Sequence, residues 1–320
     1  MQALTKQQIG LGTAAISISL LGLVRNWAAG GACSTKDLNK NLKGKVIIIT
    51  GSNTGIGYET ALQLAKQGAT ICVACRPSQK THDAVRTIRE KSKNEDVFAS
   101  ELELDSMDSI RAFAERWIKS GKPIHILINN AGVMAIPERR ETKDGFEMQM
   151  GTNHLGHFLL TELLLETIKS SAPARIINLS SISHSRNGPD SRGSFINFDD
   201  FQSKKDYAGP RVYSRTKLAN ILYTDNLAKR LSGTGVTANS LHPGVVRTEL
   251  IRHVNIPFYA WSLYPIAMIV TKTPWEGAQT TLHVALSDEC SQVTGKYFAD
   301  CVIKAKSAPQ AESVDAENTL

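Results

Sequence analysis

Between Lys45 and about Ile303 the chain alternates two patterns: short runs rich in β-branched residues, and longer stretches with apolar residues at helical spacing. The short runs are Val46-Ile47-Ile48-Ile49-Thr50, Thr70 to Ala74, Val97 to Leu104, Ile124 to Ile128, Ile176 to Leu179 and Val236 to Leu241. The helical stretches between them are Tyr58 to Gln67, Gln79 to Lys91, Ser106 to Ser120, Gly151 to Ser170 and Tyr213 to Leu231. Near-continuous apolar strands that take turns with helices predict an α/β fold: a doubly wound parallel sheet, covered on both faces. The pattern extends over residues 44–303 as a single domain, and no internal repeat interrupts it.

The pattern fails at both ends. Ile9 to Val24 carries no charge between Lys6 and Arg25, so residues 1–30 read as a hydrophobic N-terminal anchor and residues 31–43 as a linker. At about 1.5 Å per residue the uncharged run reaches roughly 24 Å, short of the ~30 Å hydrocarbon core, so spanning requires Gln7, Gln8 or the flanks. A cleaved signal peptide and an organelle transit sequence are the alternatives. If the anchor is separate from the fold, removing residues 1–30 leaves a soluble domain. Residues 304–320 mix Ala, Ser, Glu and Pro without period and read as a disordered tail.

Composition narrows the partners. The 320 residues are 42% hydrophobic and 21% charged, enough for a large core, with a net charge of +7 and a pI near 9.1. No Lys/Arg block longer than two residues is interleaved with aromatics, which argues against nucleic acid and leaves anionic lipid or an anionic cofactor. Five cysteines without a paired framework argue against a disulfide-stapled fold. Cys72 and Cys75, three apart on a strand, face opposite sides and read as buried thiols. His154 and His157 share a helix face without a matching ligand set, so no metal site is expected.

The chemistry gathers at strand ends. Thr50-Gly51-Ser52-Asn53-Thr54-Gly55-Ile56-Gly57 follows a strand and opens a helix, where glycines let the backbone approach a pyrophosphate and free N–H groups hold its charge. At the end of the next strand, where an acid would hold ribose hydroxyls, stands Cys75-Arg76. A guanidinium there favours a 2′-phosphate, hence NADP(H). Tyr213 and Lys217 stand one helical turn apart. A carbonyl that receives hydride needs a proton, and a phenol of pKa about 10 is slow to exchange one at neutral pH unless a neighbouring charge lowers its pKa. Lys217 is expected to supply that charge. Ser181, after the strand Ile176 to Leu179, would hydrogen-bond the carbonyl oxygen, with Ser180 its competitor.

These residues, with Leu104-Asp105, Asn129-Asn130-Ala131-Gly132, Asn153, Ser180-Ser181 and His242-Pro243-Gly244, resemble the short-chain dehydrogenase/reductase family in its own order. Ala74-Cys75-Arg76, Asp144 to Gln149, Asn153 to Phe158 and Thr273 to Ala278 resemble its retinol dehydrogenase 11 to 14 group. The Gly30 to Cys33 stretch and Ser171 to Asn178 are most similar to the member associated with the inner mitochondrial membrane. The resemblance implies a Rossmann-like fold and Tyr213, Lys217, Ser181 and Asn153 as catalytic residues, Asn153 holding a relay water or merely capping a helix. It implies cofactor contacts from Gly51, Ser52, Asn53, Thr54, Gly55, Ile56, Gly57, Arg76, Asp105, Asn130, Ala131, Gly132, Tyr213, Lys217, Pro243 and Gly244, with Ser181 touching substrate.

Departures from the family's shortest members lie in two places. About thirty residues separate Ser181 from Tyr213, the excess being a polar loop, His184 to Asp190 and Asn197 to Lys205, expected to be solvated. The stretch Ile256 to Val270 is uncharged and aromatic-rich, and suits a lid over an apolar substrate, a surface pressed on lipid, or core. The expected activity is reduction of a lipophilic carbonyl such as retinal by NADPH. Ketosteroids or lipid aldehydes are the alternative substrates, and a non-catalytic NADP-sensing scaffold the alternative class. A membrane location is expected, the mitochondrial inner membrane ranked ahead of the endoplasmic reticulum. A homodimer is left open.

Overall fold

The computed structural model describes residues 22–185, 196, 198–253, 262 and 264–306. Eight strands form one sheet in the order β3-β2-β1-β4-β5-β6-β7-β8. They are β1 Val46–Thr50, β2 Thr70–Cys75, β3 Val97–Glu101, β4 Ile126–Asn129, β5 Ala174–Leu179, β6 Val236–His242, β7 Tyr297–Ala299 and β8 Val302–Lys304. The first seven run parallel, and β8 returns antiparallel to β7, so the sheet is mixed at that edge and not wholly parallel.

Alternation along the strands assigns the helices to faces. Ile47, Ile49, Ile71 and Val73 point to one side, packed under α1 (Gly55–Lys66), α2 (Gln79–Ser92) and α7 (Pro274–Leu286). Val46, Ile48, Cys72 and Leu127 point to the other, under α3 (Met107–Lys119), α4 (Gly156–Ser170) and α5 (Gly209–Arg230). A further helix, α6 (Tyr264–Val270), has no buried residue and belongs to neither layer. Cys72 and Cys75 fall in opposite cores, as their spacing predicts. The strand order reverses between β1 and β4, and in such sheets ligands bind at the carboxyl ends of the strands beside that reversal.

The ends depart from expectation. Residues 31–43 are docked on the domain and do not form a free linker: Cys33 is buried and its N–H donates to Gln279 Oε1 at 3.1 Å. Leu42 is buried, and its N–H donates to the Gln67 carbonyl at 2.8 Å. Residues 22–29 are helical, and Arg25 pairs with Glu276 on α7, so a cut at residue 30 would remove part of the packed structure. The rest of the expected anchor lies outside the described residues, among which no helix is long and apolar enough to cross a membrane. At the other end Lys304 belongs to β8 and Lys306 pairs with the buried Asp225, so the structured chain continues into the expected tail, whose residues 307–320 lie outside the description.

The insertion is only partly the solvated loop expected. Residues 186–195 and 197 are not described, but Ser203 is buried and Gln202 Oε1 accepts from the Glu147 N–H at 2.7 Å. Asp200 accepts from the N–H groups of Lys204, Lys205 and Asp206, which closes a compact turn.

Candidate active site

The glycine loop leaves β1 with its backbone pressed against the end of β4. Gly51 has φ +64, and a Cβ there would stand 2.8 Å from the Ala131 Cβ. At Gly57 a Cβ would meet Asn130 Nδ2 at 2.4 Å and the Gly51 carbonyl at 2.7 Å. Only glycine permits both approaches, and the opening they leave lies at the head of α1. Asn130 fixes the contact by donating its side-chain amide to the Thr50 carbonyl at 2.8 Å. Thr54 gives α1 no side-chain cap, which leaves the first-turn N–H groups to other partners.

The loop also holds the end of β2. Asn53 Nδ2 donates to Thr81 Oγ1 at 2.9 Å, and Thr81 Oγ1 donates to the Arg76 carbonyl at 2.9 Å. Arg76 is therefore set beside the loop, exposed, with no ion pair among the described residues. Asp105 is half-buried beyond β3, and Pro243 and Gly244 follow β6, with Gly244 at φ +98 against the Lys272 stem. The sixteen cofactor contacts expected from sequence thus fall at the carboxyl ends of β1, β2, β3, β4 and β6, in the first turn of α1, or on α5.

Tyr213, Lys217 and Ser181 come together as a buried group. All three are buried, Tyr213 at 5% exposure; Ser181 Oγ donates to Ser183 Oγ at 3.2 Å and is the side chain that draws the Tyr213 phenol pKa down. The competitor Ser180 donates its hydroxyl to the Lys217 carbonyl at 2.8 Å. Lys217 Nζ lies 5.5 Å from the Tyr213 ring centre and donates to the Leu179 carbonyl at 3.0 Å.

In the folded protein burial outweighs the lowering of the phenol pKa expected from Lys217. Burial dominates and pushes Tyr213 up to about 12, with the Ser181 hydrogen bond pulling the other way. Burial also pulls Lys217 down to about 8. At neutral pH both groups therefore carry their protons, Tyr213 firmly and Lys217 by a narrow margin.

Asn153 lies in a π turn, Gly151–Leu155, that leads into α4. Its side chain is not a helix cap: Oδ1 accepts from the Val133 N–H at 2.8 Å, and Nδ2 donates to the Val133 carbonyl at 2.8 Å and Thr216 Oγ1 at 3.2 Å. A π turn leaves a main-chain carbonyl out of the helical ladder, and such turns recur at functional sites. Here the Asn153 carbonyl accepts from two side chains that sequence reasoning missed or misread.

One is Asn220, whose Nδ2 donates to the Asn153 carbonyl at 3.3 Å and to the Leu179 carbonyl at 3.1 Å. With its amide nitrogen so committed, Asn220 Oδ1 must accept from His154 Nδ1, 3.0 Å away. The other is His157. Thr50 Oγ1 already accepts from the Asn130 and Ala131 N–H groups, so its own proton goes to His157 Nε2 at 2.8 Å. His157 Nδ1 then carries the ring proton and donates to the Asn153 carbonyl at 3.0 Å. Burial holds His154 down at about 4 and His157 at about 3, so both are neutral. This wiring joins the glycine loop to the Lys217 pocket, and among the described residues no cluster of potential ligands forms a metal site.

Comparison with known proteins agrees with this geometry. The profile of the family described as short chain dehydrogenase matches residues 45–191 and 188–256. Human retinol dehydrogenase 12 is 50% identical over 278 residues, 87% of this chain and 84% of that protein. Human retinol dehydrogenase 13 is 46% identical over a longer span, 303 residues, 93% of this chain and 88% of that protein. Among solved structures, the Pseudomonas aeruginosa RhlG/NADP active-site complex superposes with a TM-score of 0.63 at 24% identity, over 80% of this chain and 94% of that one, a likeness of fold.

Proposed function

The chain belongs to the short-chain dehydrogenase family and is an oxidoreductase related to the retinol dehydrogenases, and from that premise we propose that it reduces a lipophilic carbonyl, retinal foremost, with NADPH. The observation that carries this reading is the buried Tyr213–Ser181 hydroxyl pair beside Lys217. A scaffold that only senses NADP has no use for a buried, protonated phenol.

The cradle at Gly51 and Gly57, which a Cβ would fill, and the exposed Arg76 beside it fit a dinucleotide with a 2′-phosphate. When bound, NADPH supplies the hydride. The chain's own residues do the rest. Ser181 Oγ and Tyr213 Oη hold the carbonyl oxygen between them, and Tyr213 donates its proton as negative charge develops there. Lys217 stabilises the phenolate left behind by its positive charge, and Asn220 and Asn153 keep the lysine and its helix in register.

Two experiments divide the reading. Arg76→Asp removes the guanidinium and adds a charge that repels phosphate, so NADPH should weaken by about tenfold or more while relative use of NADH rises. An unchanged preference between the cofactors would show that another residue reads the phosphate. For the substrate, NADPH oxidation in detergent with a panel of retinal, alkenals and ketosteroids should give retinal the highest kcat/KM; a steroid in first place would replace it. We place the enzyme at a membrane, the inner mitochondrial membrane ahead of the endoplasmic reticulum, on the uncharged run at Ile9 and the first thirty-six residues, which lack an acid.

A further inference from the structure

A concentration of large exposed apolar side chains surrounds residues 272–276. The helix α6 has no buried residue; Ile266 is 57% exposed, and Met268 and Val270 stand out beside it. Its end leads into Lys272, whose N–H donates at 2.8 Å to the carbonyl of the exposed Val245. Trp275 opens α7, exposed, and next to it Glu276 pairs with Arg25. That pair fixes the helical residues 22–29 with Leu23 and Trp27, one turn apart, turned outward; Trp27 is 81% exposed. Gly30 packs against Lys272 and Asp300, so the circle closes on the same short stretch.

Two observations identify what covers this face. The uncharged run Ile9 to Val24 ends within helix 22–29, which lies on this face. The neighbouring acids Glu276 and Asp300 are each neutralised in an ion pair, whereas Arg247, whose N–H donates to the Lys272 carbonyl at 3.0 Å, makes none among the described residues. Apolar side chains with two tryptophans and an arginine at the rim match the interface of an anionic bilayer.

We propose that this face is a membrane-docking surface of the folded domain itself, with α6, Trp27 and Trp275 seated in the boundary between headgroups and acyl chains. The docking extends the membrane location proposed above and does not depend on the activity. Because Gly244 after β6 packs on Lys272, the face adjoins the carboxyl edge of the sheet, and a lipophilic substrate would enter from the bilayer; that consequence alone rests on the reductase reading.

The test uses the full chain with a Cys301→Ser background and a fluorophore on Met268→Cys, or on Trp275→Cys should the first variant fold poorly. Glu90→Cys, exposed on α2, is the control. The vesicles are phosphatidylcholine with a minor share of phosphatidylserine and a nitroxide-labelled lipid. The face label should be quenched by about twofold or more and the control hardly at all. Vesicle-bound protein whose face label escapes quenching would overturn the proposal and leave the N-terminal run as the sole attachment. Face labels that instead quench one another in detergent would assign the surface to a second copy of the chain.

Discussion

Tyr213→Phe is expected to abolish turnover while NADPH affinity stays within a few-fold of wild type. The ring is buried at 5% exposure, and the substitution removes only the phenol hydroxyl beside Ser181. Loss of a positioned acid is worth ~10²-fold or more in rate. Residual activity above about a tenth of wild type would show that another group delivers the proton.

Lys217→Met should produce two effects of opposite sign. Burial holds this lysine at about 8 against an ordinary 10.5, so the folded protein binds the proton less tightly than the unfolded chain does. The charged form therefore subtracts from stability below about pH 8, and the subtraction fades as pH rises toward 10.5, where the unfolded chain loses its proton too. A shift of this size corresponds to about 3 kcal/mol. Methionine fills the space without the charge, and the Leu179 carbonyl keeps a donor in Asn220 Nδ2 at 3.1 Å. The variant should melt several degrees above wild type at pH 7, with the gap closing above about pH 8, and should lose catalysis. Wild-type kcat/KM for reduction should fall over the same pH range. A variant that melts lower at pH 7, or a gap that does not change with pH, would show that the lysine is not held at the expense of stability.

What was legible in the sequence was local. The glycine loop could be read because Gly51 and Gly57 answer a steric demand within one turn of chain, and the Tyr213–Lys217 pair because helical spacing places it on one face. Arg76 was legible because a strand end has a defined place in the sheet. The wiring behind them was not, since Thr50 and His157 are 107 residues apart and Asn153 and Asn220 are 67 apart. Nothing in the local pattern announces such partners. The depressed lysine was also out of reach, because a pKa depends on how completely other segments exclude water. Residues 31–43 looked like a linker because their attachment is made by isolated anchors, Cys33 and Leu42, and by polar bonds rather than by a periodic face. The strands β7 and β8, three residues each, are too short to show a period.

The central claim is that this pocket transfers hydride to a carbonyl carbon. Full-length protein in detergent, incubated with retinal and with NADPH deuterated at one or the other face of C4, tests it most directly by mass spectrometry of the alcohol formed. One deuterium on the alcohol carbon from one labelled face and none from the other is the result predicted, lost in Tyr213→Phe. Cofactor binding without a labelled alcohol from either face would contradict the account.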